Sequence, residues 1–316
     1  MPPIRHSAML NPSSVYASVF SDPISRLSLG IGATFGALPP ALQFVFAVAF
    51  GLAVGSFVNV VAHRLPIMLE RAWRLEISEA TGQTAPSDAL PARYNLCLPR
   101  SACPHCGHVL RAHENIPVLS YLLLRGRCSA CRAPISPRYP LVEVAGAALA
   151  AASLVVYGPT GQALAAFGFT AALLAMSAID AETRLLPDAL TLPLLWAGLI
   201  VNFDGGFTTL RAAVAGAIAG YVFLWSIYWL FRFARGVEGM GYGDFKLLAA
   251  LGAWLGWAAL PQVVLIAAVT GALAGLLAMW SGRLRFEEPL PFGPFLALGG
   301  VVTLFAGTPI FHLLGG

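Results

Sequence analysis

The chain has 316 residues, of which 58% are hydrophobic and only 11% are charged, and its mean hydropathy is +0.74. Soluble domains carry about 25% charged residues, so this composition excludes a soluble domain and predicts an integral membrane protein. The formal net charge is +4, but the basic residues are not gathered with aromatic residues on one stripe. We therefore expect contact with membrane lipid and no nucleic-acid partner.

Apolar segments long enough to cross a bilayer, allowing for tilt, recur along the chain. They predict an all-α polytopic membrane protein with about eight transmembrane helices. The turn at Pro261 leaves open a single kinked segment at that point, which would make seven. The predicted segments are 41–63, 139–157, 161–179, 189–203, 209–231, 244–258, 261–280 and 292–314.

The start of the chain lacks the charged-then-apolar pattern of a cleavable signal, so we predict a mobile or interfacial extension there. In the first helix, Gly51, Gly55 and Ser56 would permit close contact with another helix. Four regions follow from these patterns: the extension (1–40), the first transmembrane helix (41–64), a polar loop (65–138) and a multi-helix membrane domain (139–316).

Basic residues predict the orientation of the helices. Arg64 and the loop 65–138 carry ten of the nineteen Lys and Arg residues, so this loop should face the cytoplasm. Alternating the later helices from this anchor leaves only Arg5, Arg26 and Arg211 on the opposite side. We interpret the stretch from residue 67 to residue 100, within the loop, as a variable amphipathic or flexible insertion.

The polar loop contains two C-x2-C pairs, Cys103 with Cys106 and Cys128 with Cys131. Each pair can turn two thiolates toward one ion, and four thiolates suit tetrahedral zinc. The spacing therefore predicts a closed, structural zinc-ribbon-like site. Two disulfides are the alternative, which a reducing cytoplasmic face disfavours. Cys97 is interpreted as an ordinary thiol, and the remaining candidates for ligands are interpreted as surface histidines: His105, His108 and His113.

Three aspartates lie at predicted cytoplasmic helix ends. Asp188 opens a helix after Pro187, so helix capping is the favoured interpretation. Asp180 closes a helix, where the macrodipole disfavours a negative charge, and it has no evident structural role. Asp244 is either a helix cap or a functional acid, but it follows glycines at 239, 241 and 243, more than a cap requires.

Asp180 and Asp244 together suggest an aspartic-protease dyad. Two carboxylates close enough to share a proton cannot both ionise, so one acts as a base toward water while the other holds a proton. Such a pair hydrolyses a peptide bond without a metal or a covalent intermediate. It titrates as a unit, so the sequence does not assign the base.

Several blocks of the chain, in order, resemble the prepilin peptidases, a family of GxGD-type aspartic leader peptidases. The match extends from about Gly51 to Gly299. The blocks are GSFVNVVAHRLP, the two cysteine pairs, ENIPVLSYLLLRGRCSACRAPISPRYPLVE, IDAETRLLPDALTLPLLWAGL, GMGYGDFKLLAALGAWLG and PFGPFLALGG.

This resemblance implies that Asp180 and Asp244 are the catalytic aspartates and that Gly241 and Gly243 are the motif glycines. It implies a multi-pass protein of the bacterial inner membrane with its active site facing the cytoplasm. The implied substrates are type IV prepilins or the pseudopilins of type II secretion, cut after a leader glycine.

Family members with the full cysteine loop also N-methylate the new terminal residue with S-adenosylmethionine, so the resemblance implies this second activity and this cofactor. The chain has no glycine-rich methyltransferase fingerprint. Candidates for the cofactor or leader-peptide site, each equally well explained as loop or helix-end charges, are Glu114, Asn115, Arg127, Arg138 and Glu143.

Two other functions remain open from the residues. A presenilin-like intramembrane protease also uses a GxGD aspartate, but it usually places a tyrosine beside the first aspartate, whereas Ile179 and Ala181 flank Asp180. A transporter with a zinc ribbon would explain membrane acids without catalysis, but it predicts acids at mid-membrane and broken helices.

Overall fold

The structure is a computed structural model that describes residues 34–82, 91, 93–236, 240–282 and 290–308. Over these residues it is helical and has no β-strand, only two isolated bridges. Short 3-10 turns occupy Ala112–Asn115 and Trp257–Ala259. The helices are α1 (Pro40–Thr81), α2 (Leu119–Leu123), α3 (Arg138–Tyr157), α4 (Gly161–Thr183), α5 (Asp188–Val201), α6 (Leu210–Arg235), α7 (Tyr242–Leu255), α8 (Leu260–Trp280) and α9 (Gly293–Ala306).

Each predicted membrane segment overlaps one of these helices, and residues 309–314 of the last segment lie outside the described residues. By length and composition, α1, α3, α4, α6 and the segment containing α8 are long and apolar enough to cross a membrane. Helices α5, α7 and α9 have 14 residues each, fewer than the roughly 20 that a bilayer core requires. Helix α7 ends at Leu255 and α8 starts at Leu260, with Gly256 at φ 82° between them, so the chain turns here between two helices.

Helix α1 continues well beyond its predicted end. Its 42 residues correspond to about 63 Å at 1.5 Å per residue, roughly twice the thickness of the bilayer hydrocarbon. The first part of the predicted flexible insertion is therefore helical as far as Thr81, where Gly82 in the left-handed conformation ends the helix. Most of the predicted N-terminal extension, residues 1–33, lies outside the described residues.

Small residues allow the helices to approach closely, as the sequence suggested for Gly51 and Gly55. A Cβ at Gly51 would lie 2.6 Å from the Gly146 carbonyl oxygen, and one at Gly55 would lie 2.7 Å from the Glu143 Cα. Helices α6 and α7 meet in the same way, since a Cβ at Gly252 would lie 2.2 Å from the Gly216 oxygen. Backbone contact of this kind is typical of helix packing in membranes.

The core of the membrane domain surrounds α7. After its exposed first residue this helix is almost entirely buried, as expected for a helix whose neighbours shield it from lipid. Asn202 at the end of α5 holds it by donating to the Ala253 and Trp254 carbonyls at 2.8 and 2.9 Å. Helices α5, α6, α8 and α9 contact α7, Phe169 of α4 stacks on Trp254 of α7, and α7 begins at the predicted catalytic motif.

Candidate active site and metal centre

The four cysteines of the two C-x2-C pairs form one cluster. Their Sγ atoms all lie within 4.8 Å of one another, and the Cys103 and Cys131 sulfurs are 3.8 Å apart. Tetrahedral zinc with bonds of about 2.3 Å places its sulfurs about 3.8 Å apart, so the donor set fits this metal. The cysteines are free thiols in this structure, Cys97 included.

Both cysteine pairs are folded by the same backbone hydrogen bonds. Cys103 N–H donates to the His108 carbonyl and Cys128 N–H donates to the Ala133 carbonyl, each at 2.9 Å. The residues directly after the second cysteines, Gly107 and Arg132, both have positive φ. The two C-x2-C turns therefore have the same backbone fold, and they direct all four sulfurs toward one point.

The surroundings favour a thiolate at Cys103 and disfavour it at Cys106. The backbone N–H groups of Cys106 and His105 lower the pKa of the Cys103 thiol to about 7. At Cys106, against the lowering effect of the His108 N–H, burial and the neighbouring cysteine side chains raise the pKa of the thiol to about 11. A metal binds the thiolate form. When bound, zinc would be closed by four thiolates and would organise the loop without an open position for catalysis.

Glu114 forms hydrogen bonds within this loop. Its carboxylate accepts a hydrogen bond from Arg111 N–H at 2.8 Å and lies 3.1 Å from His108 Nε2. The Arg111 N–H, followed by Ser129 and His108, lowers the pKa of Glu114 to about 2. His108 is thereby bound to a carboxylate outside the thiol cluster, whereas His105 and His113 are exposed.

The other candidate polar residues of the loop fall into two groups. Asn115 and Arg127 have exposed side chains, available to a ligand. Glu143 is buried on α3 and accepts a hydrogen bond from Val118 N–H at 2.7 Å. Arg138 forms an ion pair with Glu182 and donates to the Ala178 carbonyl at 3.4 Å. Glu143 and Arg138 therefore join the loop to the membrane helices, and Arg138 does so beside the last turn of α4.

Asp180 lies in that last turn, as predicted, and is only 5% exposed. Helix α4 ends at Thr183, and Arg184, in the left-handed conformation, donates its N–H back to the Asp180 carbonyl. The Asp180 carboxylate reaches across to α9, where Gly293 N–H donates to Oδ2 at 2.9 Å. Asp180 therefore binds a residue of another helix, α9, from its position at the end of α4.

Asp244 lies in the first turn of α7 and is 7% exposed. The N-cap residue of this helix is Gly241 and not Asp244, and the Asp244 carboxylate interacts with the Gly241 backbone N–H. Asp244 is thus the third residue of the helix, a position where the helix dipole favours an acid.

The structure brings the two aspartates together. Leu186, in the connection between α4 and α5, lies against both Gly243, the residue before Asp244, and Gly293, which binds Asp180. A Cβ at Gly243 would lie 2.7 Å from Leu186 Cβ, and one at Gly293 would lie 3.2 Å from Leu186 Cδ1. Two buried carboxylates that come close enough to share a proton can activate water.

Asp188 has a different role from the cap that its sequence position suggested. It is the first residue of α5, and both its carboxylate oxygens accept from Lys246 Nζ, at 2.6 and 2.7 Å. Lys246, the only lysine in the chain, lies two residues after Asp244. This ion pair joins α5 to the start of α7.

Sequence reasoning did not identify Gly293 as part of the site. It lies 113 residues from Asp180, so no local pattern connects them. The available signal was the PFGPF block, in which a glycine between prolines precedes an apolar run. Gly239, the first of the three glycines that precede Asp244, lies outside the described residues.

Two family models match the chain. Residues 49–157 match the Bacterial Peptidase A24 N-terminal domain, and residues 167–276 match the Type IV leader peptidase family. The first match contains the cysteine cluster, and the second contains Asp180 and Asp244. No solved structure matches the chain.

Curated relatives cover most of the chain. A protein of Burkholderia pseudomallei is 70% identical over 284 residues, which is 90% of this chain and 92% of the relative. Proteins of Aeromonas hydrophila and Pseudomonas aeruginosa are each 52% identical and cover 86% and 85% of the chain and 93% and 92% of their own lengths. All three are named prepilin leader peptidase/N-methyltransferase. This chain belongs to the type IV leader peptidase family.

Proposed function

We propose that this protein is a membrane aspartic endopeptidase that removes the leader peptide of type IV prepilins and type II secretion pseudopilins. The pair of buried aspartates, Asp180 and Asp244, carries the proposal, since two interacting carboxylates in a dry setting are the machinery for peptide hydrolysis. The names of the curated relatives support prepilins as the substrate class.

The reaction balances between the two carboxyl groups. The ionised carboxylate takes a proton from water while the water oxygen bonds to the peptide carbon, and the protonated carboxyl gives its proton to the carbonyl oxygen. In the second step the amide nitrogen is protonated by the first carboxyl, a hydroxyl proton returns to the second, and the C–N bond breaks. The dyad regains its starting state without a covalent intermediate.

The scissile bond is proposed to lie at the cytoplasmic membrane boundary, after the leader glycine. Arg138 reaches from the cysteine loop to Ala178 and Glu182, so the loop and the dyad share one end of the helix bundle. Because Arg64 and the loop carry ten of the nineteen basic residues, the positive-inside rule favours the cytoplasm for that end.

N-methylation of the newly exposed residue, with S-adenosylmethionine as the methyl donor, is the proposed second activity. The relatives' names support the activity. Among the candidate cofactor residues, Asn115 and Arg127 have exposed side chains. The carboxylates of Glu114 and Glu143 each already accept a hydrogen bond from a backbone N–H group. The relatives do not favour the presenilin-like or transporter alternatives.

The test is a cleavage assay on the full chain in detergent with a model prepilin. We expect Asp180→Asn and Asp244→Asn each to lower kcat by at least about 10⁴-fold, as loss of a group that acts as one unit with its partner would do. Asp204→Asn is the matched control, because Asp204 is exposed in the connection between α5 and α6. Cleavage by both dyad variants at the wild-type rate would refute the assignment.

Transfer of label from S-adenosylmethionine to the new N-terminus, measured on a pre-cleaved substrate, tests the second activity separately. Labelling by Asp180→Asn and Asp244→Asn would show that methyl transfer does not use the dyad. Absence of labelling by the wild-type enzyme would remove this part of the proposal.

A further inference from the structure

Asp180 has an environment that its own helix does not supply. It lies in the last turn of α4, where the helix dipole disfavours a negative charge, and its side chain is almost entirely buried. An ionised carboxylate in that position requires compensation from elsewhere.

The compensation comes from α9. Gly293 is the first residue of this 14-residue helix, and its N–H donates to Asp180 Oδ2 at 2.9 Å. The first N–H groups of a helix have no intrahelical partner, and the dipole is positive at that end. A buried carboxylate at such a position is stabilised in its charged form.

Residue 293 must be a glycine for this contact to form. A Cβ at this position would lie 2.7 Å from Asp180 Oδ2 and 3.2 Å from Leu186 Cδ1. Any side chain would therefore push the carboxylate away from the N–H that holds it. The neighbouring prolines at 291 and 294 restrict the backbone on both sides.

The charged groups around the dyad differ between the two members. Asp180 faces Asp244, the Gly293 N–H and the positive charge of Arg184, while Arg138 beside it is paired with Glu182. Asp244 faces Asp180 and the Gly241 N–H, and the nearby Lys246 is held by Asp188. More of the groups that stabilise a negative charge therefore lie beside Asp180 than beside Asp244.

From this arrangement we propose that the N-terminus of α9 is a third component of the active site, in which Gly293 positions Asp180 as the ionised base and leaves the shared proton on Asp244. Asp180 then takes the proton from the attacking water, and Asp244 protonates the carbonyl oxygen. The assignment rests on the proposed function, and it specifies which aspartate acts as the base and which as the acid.

The first test compares Gly293→Ala with Gly300→Ala in the full chain. Gly300 lies on the same helix, and its added Cβ would meet the flexible end of Leu251 at 2.5 Å, inside the core. We expect Gly293→Ala to lower kcat about tenfold or more, with KM changed less than about twofold, and to move the acid limb of the pH–rate profile upward. Gly300→Ala should leave the pH profile in place.

A second measurement needs no change at Gly293. Infrared spectra of the wild-type enzyme at pH 7 should show the carbonyl band of a protonated carboxyl, and Asp244→Asn should lose it. Persistence of that band in Asp244→Asn would place the proton on Asp180 and overturn the assignment. Unchanged pH profiles in a folded Gly293→Ala enzyme would overturn the role of α9, and the dyad itself fails only if Asp180→Asn and Asp244→Asn still cleave.

Discussion

Single glycines decide how closely the backbone approaches the two aspartates. The GxGD motif contains Gly241 and Gly243, but the structure gives them unequal roles. Gly243 packs against Leu186, so that an added Cβ would lie 2.7 Å from Leu186 Cβ, whereas an added Cβ at Gly241 would meet nothing closer than 3.9 Å. The spacing of the motif is therefore explained by packing at its second glycine and by the helix start at its first.

This difference predicts unequal effects of alanine. We expect Gly243→Ala to displace the first turn of α7 and lower kcat about tenfold or more, because small shifts of catalytic groups have large kinetic effects. Gly241→Ala should lower it less than about threefold, since φ at this position is −81° and the space is open. Cleavage kinetics of the two purified variants check the order, and equal losses would contradict it.

At the level of the helices, α5 and α7 are joined by a pair of oppositely charged residues. Asp188 at the start of α5 binds Lys246 in the second turn of α7, so the helix that carries Asp244 is tied to the segment that follows Asp180. The Asp188 side chain is 55% exposed and the Lys246 side chain 29%. Exposed pairs contribute about 0.2–1 kcal/mol to stability, so we assign this one to alignment of the helices.

Charge reversal tests that assignment. Asp188→Lys and Lys246→Asp should each lower kcat a few-fold by placing like charges together, and the double variant should recover most of the activity. The measurement is a double-mutant cycle on kcat at low and high salt, because an exposed pair is screened by salt. Additive losses in the double variant would show that the pair does not act as a unit.

Over the whole molecule, the loop that carries the four-cysteine cluster is attached to the helix bundle that carries Asp180 and Asp244. The attachments include Glu143 with Val118, Arg138 with Glu182, and Arg64 with the Asn95 and Pro99 carbonyls, and none of these residues belongs to the cysteine cluster. Helices α4, α7 and α9 supply the groups around the dyad. Loss of metal should thus unfold the loop before it affects the dyad.

Metal analysis of the purified protein should give one zinc per chain. Chelation, or Cys103→Ser with Cys128→Ser, should lower the thermal stability of the loop while peptide cleavage persists at a reduced rate. Asp180→Asn provides the comparison, since it should retain zinc and lose cleavage. Two disulfides and no metal in the protein isolated under reducing conditions would contradict this prediction.

The features that depend only on short stretches of the chain were predictable from the sequence. Apolar runs predicted the helices because the bilayer requires about 20 apolar residues and satisfied backbone hydrogen bonds. The cysteine spacing predicted the cluster, since each C-x2-C turn fixes the direction of its own two sulfurs. Asp180 was recognisable as unusual from its unfavourable position at a helix end. The end of α1 was not predictable, because its polar continuation to Thr81 has no membrane signal.

The sequence by itself therefore determined the membrane class, the helices, the four thiols and the two acids, because each depends on local composition or on spacing of a few residues. Only the tertiary structure decided what those acids contact. Gly293 joins Asp180 across 113 residues, and Lys246 joins Asp188 across 58. Such contacts depend on how whole helices pack, and helix packing depends on close backbone approaches at glycines such as Gly252, whose partner Gly216 lies on another helix.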